Sequence, residues 1–150
     1  MAKTATPALP QNAYTATALL AANTACTTRA PVATANLVAS GLVALTAAST
    51  NDLRIDSIQI QACSSAIGAT SAAQVVQIWI WDAASGFAYL IDEIIIGALV
   101  PSATAIAFTF EKFYQNPRLI PAAKLLYISS TIANTPSTTA LQVTAYGGAF

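Results

Sequence analysis

General acid–base chemistry needs a positioned titratable group. This chain has no histidine, which leaves six carboxylates, Asp52, Asp56, Asp82, Asp92, Glu93 and Glu111. Asp92 and Glu93 are adjacent, so in an extended chain they point to opposite faces and cannot act on one substrate. Charges placed this way suit a strand edge, where they discourage unwanted pairing. Asp52 and Asp56, with loop carbonyls, could hold calcium, but local hydrogen bonds in a turn and a bulge are the plainer role. Cys26 and Cys63 are too few ligands for zinc in a chain without histidine. They could pair with each other, but we read them as two buried thiols in a chain made in a reducing cytoplasm. Ser40-Gly41 and Ser85-Gly86 lie outside any Gly-x-Ser-x-Gly elbow, and no glycine-rich phosphate cradle is present. These residues predict no catalytic apparatus, no metal and no cofactor, so the chain reads as something other than an enzyme.

The other chemistry on offer is aromatic. Trp79, Trp81, Phe87 and Tyr89 could line one face of a hairpin. Exposed, such rings would stack on sugars. Buried, they would pack a core or a subunit interface, where Trp and Tyr are enriched, and we favour the latter.

The elements that must position these residues follow from period-2 patterning. Residues 74–82 (Gln-Val-Val-Gln-Ile-Trp-Ile-Trp-Asp) place Val76, Ile78 and Ile80 on one side and Gln77, Trp79 and Trp81 on the other, a strand signal. Ala83 to Gly86 reads as a hairpin loop with Gly86 free to take positive φ, followed by a second apolar run over residues 87–96. Residues 37–45 read as a strand with a bulge or close backbone approach at Gly41. Residues 53–63 read as a long strand whose apolar phase changes at Asp56-Ser57, which predicts a bulge there. Further strands are expected over 104–111 (Ile106, Phe108 and Phe110 inward), 124–132 (Leu126, Ile128 and Ile132 on one face) and 140–146 (Leu141 and Val143 inward). Residues 64–72 and 112–121 read as loops, and Asn134-Thr-Pro-Ser as a turn. Seven or so short strands at this spacing predict an all-β antiparallel sandwich. No helical period is sustained after residue 33.

Residues 1–33 differ. They are rich in Ala and Thr, contain Pro7, Pro10 and Pro31, and lack alternation. A helical turn or two could form over 16–22, although Thr15, Thr17 and Asn23 disfavour it. We read 1–33 as an extended N-terminal arm and 34–150 as the sandwich domain. The alternative is a first strand plus a loop of the same domain. The arm reading predicts that deleting 1–33 leaves a folded β domain.

Composition bounds the class. Of 150 residues only 8% are charged and the net charge is zero, against about 25% charged in ordinary soluble domains. A surface with so few charges is poorly protected against self-association. Apolar residues on both faces of several strands, such as Val75 beside Val76 and Leu125 beside Leu126, predict that one face is covered from outside by copies of the chain. A membrane helix is excluded by run length: the best run, 94–100, follows Asp92-Glu93 and ends at Pro101. The short strands and clustered aromatics also fit a transmembrane barrel poorly. Pro7 and Pro10 interrupt what a signal peptide would need. The six basic residues are scattered singly, so nucleic acid is not an expected partner.

Three stretches carry a resemblance: Tyr89-Leu-Ile-Asp-Glu-Ile94, Leu119-Ile-Pro-Ala-Ala-Lys-Leu-Leu-Tyr-Ile-Ser129 and Val143-Thr-Ala-Tyr-Gly-Gly-Ala-Phe150. With the Ala/Thr-rich, charge-poor texture, residues 35–150 resemble tailed-bacteriophage virion accessory proteins, in particular head decoration, or cement, proteins of the jelly-roll type. The resemblance implies a jelly-roll-like sandwich, usually a homotrimer, made in the host cytoplasm and seated on the capsid surface. There it would bridge subunits of the major capsid protein, with residues 1–33 facing the shell. It makes Trp79, Trp81 and Tyr127 expected core or intersubunit anchors. The alternatives are a tail-associated or receptor-binding virion protein that meets a cell-surface carbohydrate, and an independent lectin-like module.

Overall fold

The computed structural model describes residues 12–47, 49–63, 72–98, 109–137 and 139–150. Nine strands are described: β1 (Asn12–Leu20), β2 (Val32–Ala33), β3 (Val43–Ala44), β4 (Leu53–Ala62), β5 (Gln74–Asp82), β6 (Phe87–Ile96), β7 (Thr109–Ile120), β8 (Lys124–Ser130) and β9 (Leu141–Ala149). Described helical structure is limited to one 3-10 turn, Thr34–Asn36. The strands form two antiparallel sheets, a four-stranded one ordered β1-β9-β4-β7 and a five-stranded one ordered β2-β6-β5-β8-β3. They pack face to face as a jelly-roll-like β-sandwich.

Alternation explains the main core. On β5, Val76 and Ile78 are fully buried between the sheets, and Leu126 and Ile128 of β8 lie opposite Ile80 and Ile78. On β4 the phase change is resolved as expected. The register with both neighbours shifts between Ile55 and Ser57, and this one-residue bulge turns Leu53, Ile55, Ile58 and Ile60 all inward. Leu141 and Val143 of β9 are inward too, and β9 continues through Gly147 and Gly148 to Ala149.

The hairpin of β5 and β6 is as expected, including Gly86 at φ 71. Its register shifts between Ile78 and Trp79, an irregularity that the spacing did not predict.

Four other expectations are corrected. Residues 16–22 form no helical turn. Asn12–Leu20 is instead a strand paired residue by residue with β9, Asn12 opposite Ala149 and Leu20 opposite Leu141. For residues 12–33 the first-strand alternative therefore describes the chain, and residues 1–11 lie outside the described residues. Residues 37–45 are mostly turn, with only Val43–Ala44 in a ladder. Leu37 and Leu42 serve a strap that crosses the outer face of the five-stranded sheet, while Leu45 is buried in the main core with Val43 packed against it.

The third correction concerns β7, which extends over residues read as a loop. Pro117 is tolerated because β7 is an edge strand and because residues 114–117 bulge away from β4, between the Ser57–Phe113 and Ile55–Arg118 pairs. Phe110 does share a face with Ile60, but at the sheet edge it stays 41% exposed. The inward assignments of Ile106 and Phe108, and most of the 64–72 loop, lie outside the described residues.

The fourth correction concerns the second apolar face of the five-stranded sheet. Trp79, fully buried, packs there with Ala88 beneath Cys26, Val32, Leu37 and Leu42. The cover belongs to the same chain. Residues 21–42 leave β1, cross from one sheet to the other, and are tied down by Cys26 N to Ser130 O (2.7 Å) and Thr34 N to Gly86 O (2.9 Å). At ~25 cal/mol per Å2, burying a ring the size of Trp79 contributes about 4–6 kcal/mol of transfer free energy. The strap removes this part of the face as a reason for a partner subunit.

Candidate functional site

The five aromatic residues singled out in the sequence are divided by the sheet. In an antiparallel ladder, directly opposed residues share a face. Trp79 opposes Leu90 and Tyr127, and Trp81 opposes Ala88 and Leu125, all on the strap side. Tyr89 opposes Ile80 and Phe87 opposes Asp82, on the side that faces the other sheet. No single ring face exists.

Trp79 is an anchor of the second core. Its indole N–H donates to Ser129 Oγ (2.9 Å), whose hydroxyl donates to Gln77 Oε1 (2.9 Å). Gln77 in turn donates to Thr28 O (3.2 Å) in the strap and to Glu93 Oε1 (3.3 Å). A buried indole with a satisfied N–H is structural. Trp81 and Tyr127 pack at the margin of the same cluster, and Trp81 donates to Thr34 Oγ1 (2.9 Å). Phe87 and Tyr89 remain 40% and 38% exposed at the hairpin end, with ring centroids 6.5 Å apart and planes tilted by 49°. That tilt gives two separate ring surfaces, not one flat platform.

The carboxylates are each engaged locally. As expected, Asp92 and Glu93 leave β6 on opposite sides. Glu93 meets Arg29 of the strap (2.9 Å), and the Arg29 guanidinium holds its carboxyl below the usual range against a smaller opposing effect of burial. Asp92 turns inward and spans the sandwich. Lys112 Nζ (2.6 Å) and the Tyr114 hydroxyl (2.9 Å), both on β7, donate to its two oxygens. Burial pushes the Asp92 carboxyl up, but the hydrogen bonds from Lys112, Tyr114 and the Glu93 amide outweigh it, so its pKa is lowered. Burial, then the Asp92 carboxylate, push the Tyr114 phenol well above its ordinary range.

Asp82 is lowered chiefly by its hydrogen bond from Lys124, the residue across the ladder (3.1 Å). Asp56 accepts from Arg54 (3.0 Å), Glu111 from Ser57 (2.6 Å), and Asp52 from the Ala122 amide (2.7 Å). Asp56 takes the local bulge role expected of it, whereas Asp52 reaches the distant Ala122 amide in the turn between β7 and β8 and not a partner in its own turn. Among the described residues no three His, Cys, Asp or Glu side chains gather into a metal-sized cluster. Cys26 and Cys63 are free thiols, the first buried, the second half-buried with its pKa raised by burial.

The seam formed by Asp92, Lys112, Tyr114 and Arg118, whose guanidinium lies 5.4 Å from the Tyr114 ring centroid, was missed because 112–121 read as a loop. The even spacing of Lys112, Tyr114 and Arg118 was the available signal. Pro117 obscured it.

The remaining notable surface is apolar. Phe113 and Leu119 of β7 are 71% and 64% exposed, on the outer face of the four-stranded sheet opposite Ser57 and Arg54. No helix among the described residues is long and apolar enough to cross a membrane. No protein-family description, characterised protein or solved structure matches the chain.

Proposed function

We propose that this protein is a virion structural component, a capsid decoration or cement protein that stabilises a phage head by bridging subunits of the major capsid protein. Its partners are that shell and further copies of itself, with a homotrimer implied by the resemblance in the three stretches quoted above. The observation that carries the reading is the neutral, charge-poor surface bearing Phe113 and Leu119 on an edge strand. Each carboxylate is meanwhile occupied by a local partner. A surface of this kind suits many weak apolar and backbone contacts multiplied by symmetry better than recognition of a small polar substrate. The sandwich architecture is compatible with this role without specifying it.

Immunogold electron microscopy of source particles with antibody against the chain tests the proposal. Label over the head supports cement. Label at the tail tip supports the second reading, a receptor-binding protein, for which the exposed Phe87 and Tyr89 are the observation in favour. Absence of label from every particle removes both.

A further inference from the structure

Two sheets present four edges, and unpaired edge backbone is a template for further strands that proteins normally disarm. The five-stranded sheet ends in β2 and β3, each two residues long, too short to template a partner. β7 carries Lys112, Pro117 and Arg118, and its register breaks beside β4. These are the usual protections: charge, proline and bulge.

β1 has none of them. Asn-Ala-Tyr-Thr-Ala-Thr-Ala-Leu-Leu contains no charge, proline or glycine, and its nine residues pair with β9 in an unbroken register. Alternate backbone N–H and C=O groups of β1 point away from β9. No described residue bonds them. Ala13, Thr15, Thr17 and Leu19, which share the outer face, are all exposed.

We propose that the free edge of β1 is the pairing surface for β1 of a second copy of this chain, antiparallel about a twofold axis at Ala16, which joins two four-stranded sheets into one. The sequence is self-complementary in that arrangement. Thr15 faces Thr17 of the partner subunit, and the reverse pair repeats across the axis. The bulky Tyr14 faces the small Ala18 of the partner subunit, and Ala16 meets its own copy. Thr–Thr and large–small pairs suit directly opposed positions. With no charge on the strand and zero net charge on the chain, nothing repels the second copy. The contact is isologous, so it links chains in twos. A threefold arrangement on a shell would have to use another surface.

Sedimentation of the full chain at several concentrations tests this, with circular dichroism to confirm folding. The expected result is a reversible dimer. Thr15→Lys combined with Thr17→Lys puts two pairs of like charges directly across the axis and is expected to raise the dimer dissociation constant by roughly tenfold or more. Thr15→Lys combined with Thr17→Glu pairs each introduced lysine with an introduced glutamate and is expected to restore association. A wild-type chain that stays monomeric overturns the proposal and leaves the edge to a strand of another protein. A dimer equally weakened by both double variants, or by neither, also overturns it.

Discussion

The Tyr114 hydroxyl donates to Asp92 Oδ2 across the sandwich at 2.9 Å, joining edge strand β7 of one sheet to β6 of the other. With Lys112 on the second carboxylate oxygen, this is a polar tie between layers otherwise held by aliphatic packing.

Asn in place of Asp92 keeps one acceptor oxygen but sets an NH2 group against the other donor, Lys112 or Tyr114, and removes the charge that Lys112 pairs with. Asp92→Asn is expected to lower unfolding free energy by about 1–3 kcal/mol, read from the urea midpoint at unchanged slope. The pH dependence has a definite sign. The folded carboxyl pKa is depressed, so its stabilisation is complete above the unfolded value, roughly 3.9, and is lost as pH falls through the folded one. Wild type should therefore lose more stability than Asp92→Asn in acid. Equal losses would show that Asp92 is not the group responsible.

Tyr114 has the opposite sense. Its folded pKa is raised, so its contribution is present below the unfolded phenol value near 10 and fades as pH climbs above it. Ultraviolet titration should show a phenol fraction resisting ionisation in the native protein, and Tyr114→Phe should diminish that fraction.

Gly41 sits at φ 75, and a Cβ there would lie 1.9 Å from Thr24 O, so the strap closes on itself at this point. Gly41→Ala combines left-handed strain with a backbone clash and is expected to cost at least about 2 kcal/mol. Acrylamide quenching should then reach Trp79, which the wild-type strap shields.

Phe113 and Leu119 are mostly solvated, so Phe113→Ser with Leu119→Ser should change stability by no more than about 0.5 kcal/mol each. The same double variant should bind shells measurably more weakly in co-sedimentation. Unchanged shell binding would remove this patch from the proposed interface.

Deleting residues 1–33 now carries a different expectation. It removes β1 and the part of the strap that contains Cys26 and Val32, exposing Trp79 and a flank of β9. The truncated chain is expected to be unfolded or aggregated by circular dichroism and light scattering, in contrast to the independent arm suggested by composition.

Legibility followed burial. Strands β4, β5, β8 and β9 were legible because each sets apolar residues at alternate positions against the aliphatic core, β6 was legible as an apolar run after a turn, and the β4 bulge was visible as a phase change. The strap was illegible because its apolar residues, Leu37 and Leu42 among them, are spaced for a crossing over Trp79, which has no period. β1 was obscured by its Ala and Thr residues, whose contrast between faces is too weak to read as alternation. The aromatic cluster was recognised as a set, but its division depended on ladder register around Trp79. The Asp92 seam depended on which edges meet across the sandwich, which no local pattern encodes.

The pairing of β1 with β9 also fixes when the molecule can be completed. The partner of residue 12 is residue 149, so during synthesis the uncharged β1 strand must wait until the chain has been made through residue 149. At ~5–20 residues per second that wait is on the order of ten seconds, and pairing so distant in sequence is intrinsically slow. Nascent chains crowded on one polysome would hold unpaired copies of the same strand near one another throughout that interval. Yield of soluble protein should therefore respond to translation rate and to chaperones that bind extended segments, and a circular permutant that makes β1 and β9 neighbours in the chain should be relieved of both dependences.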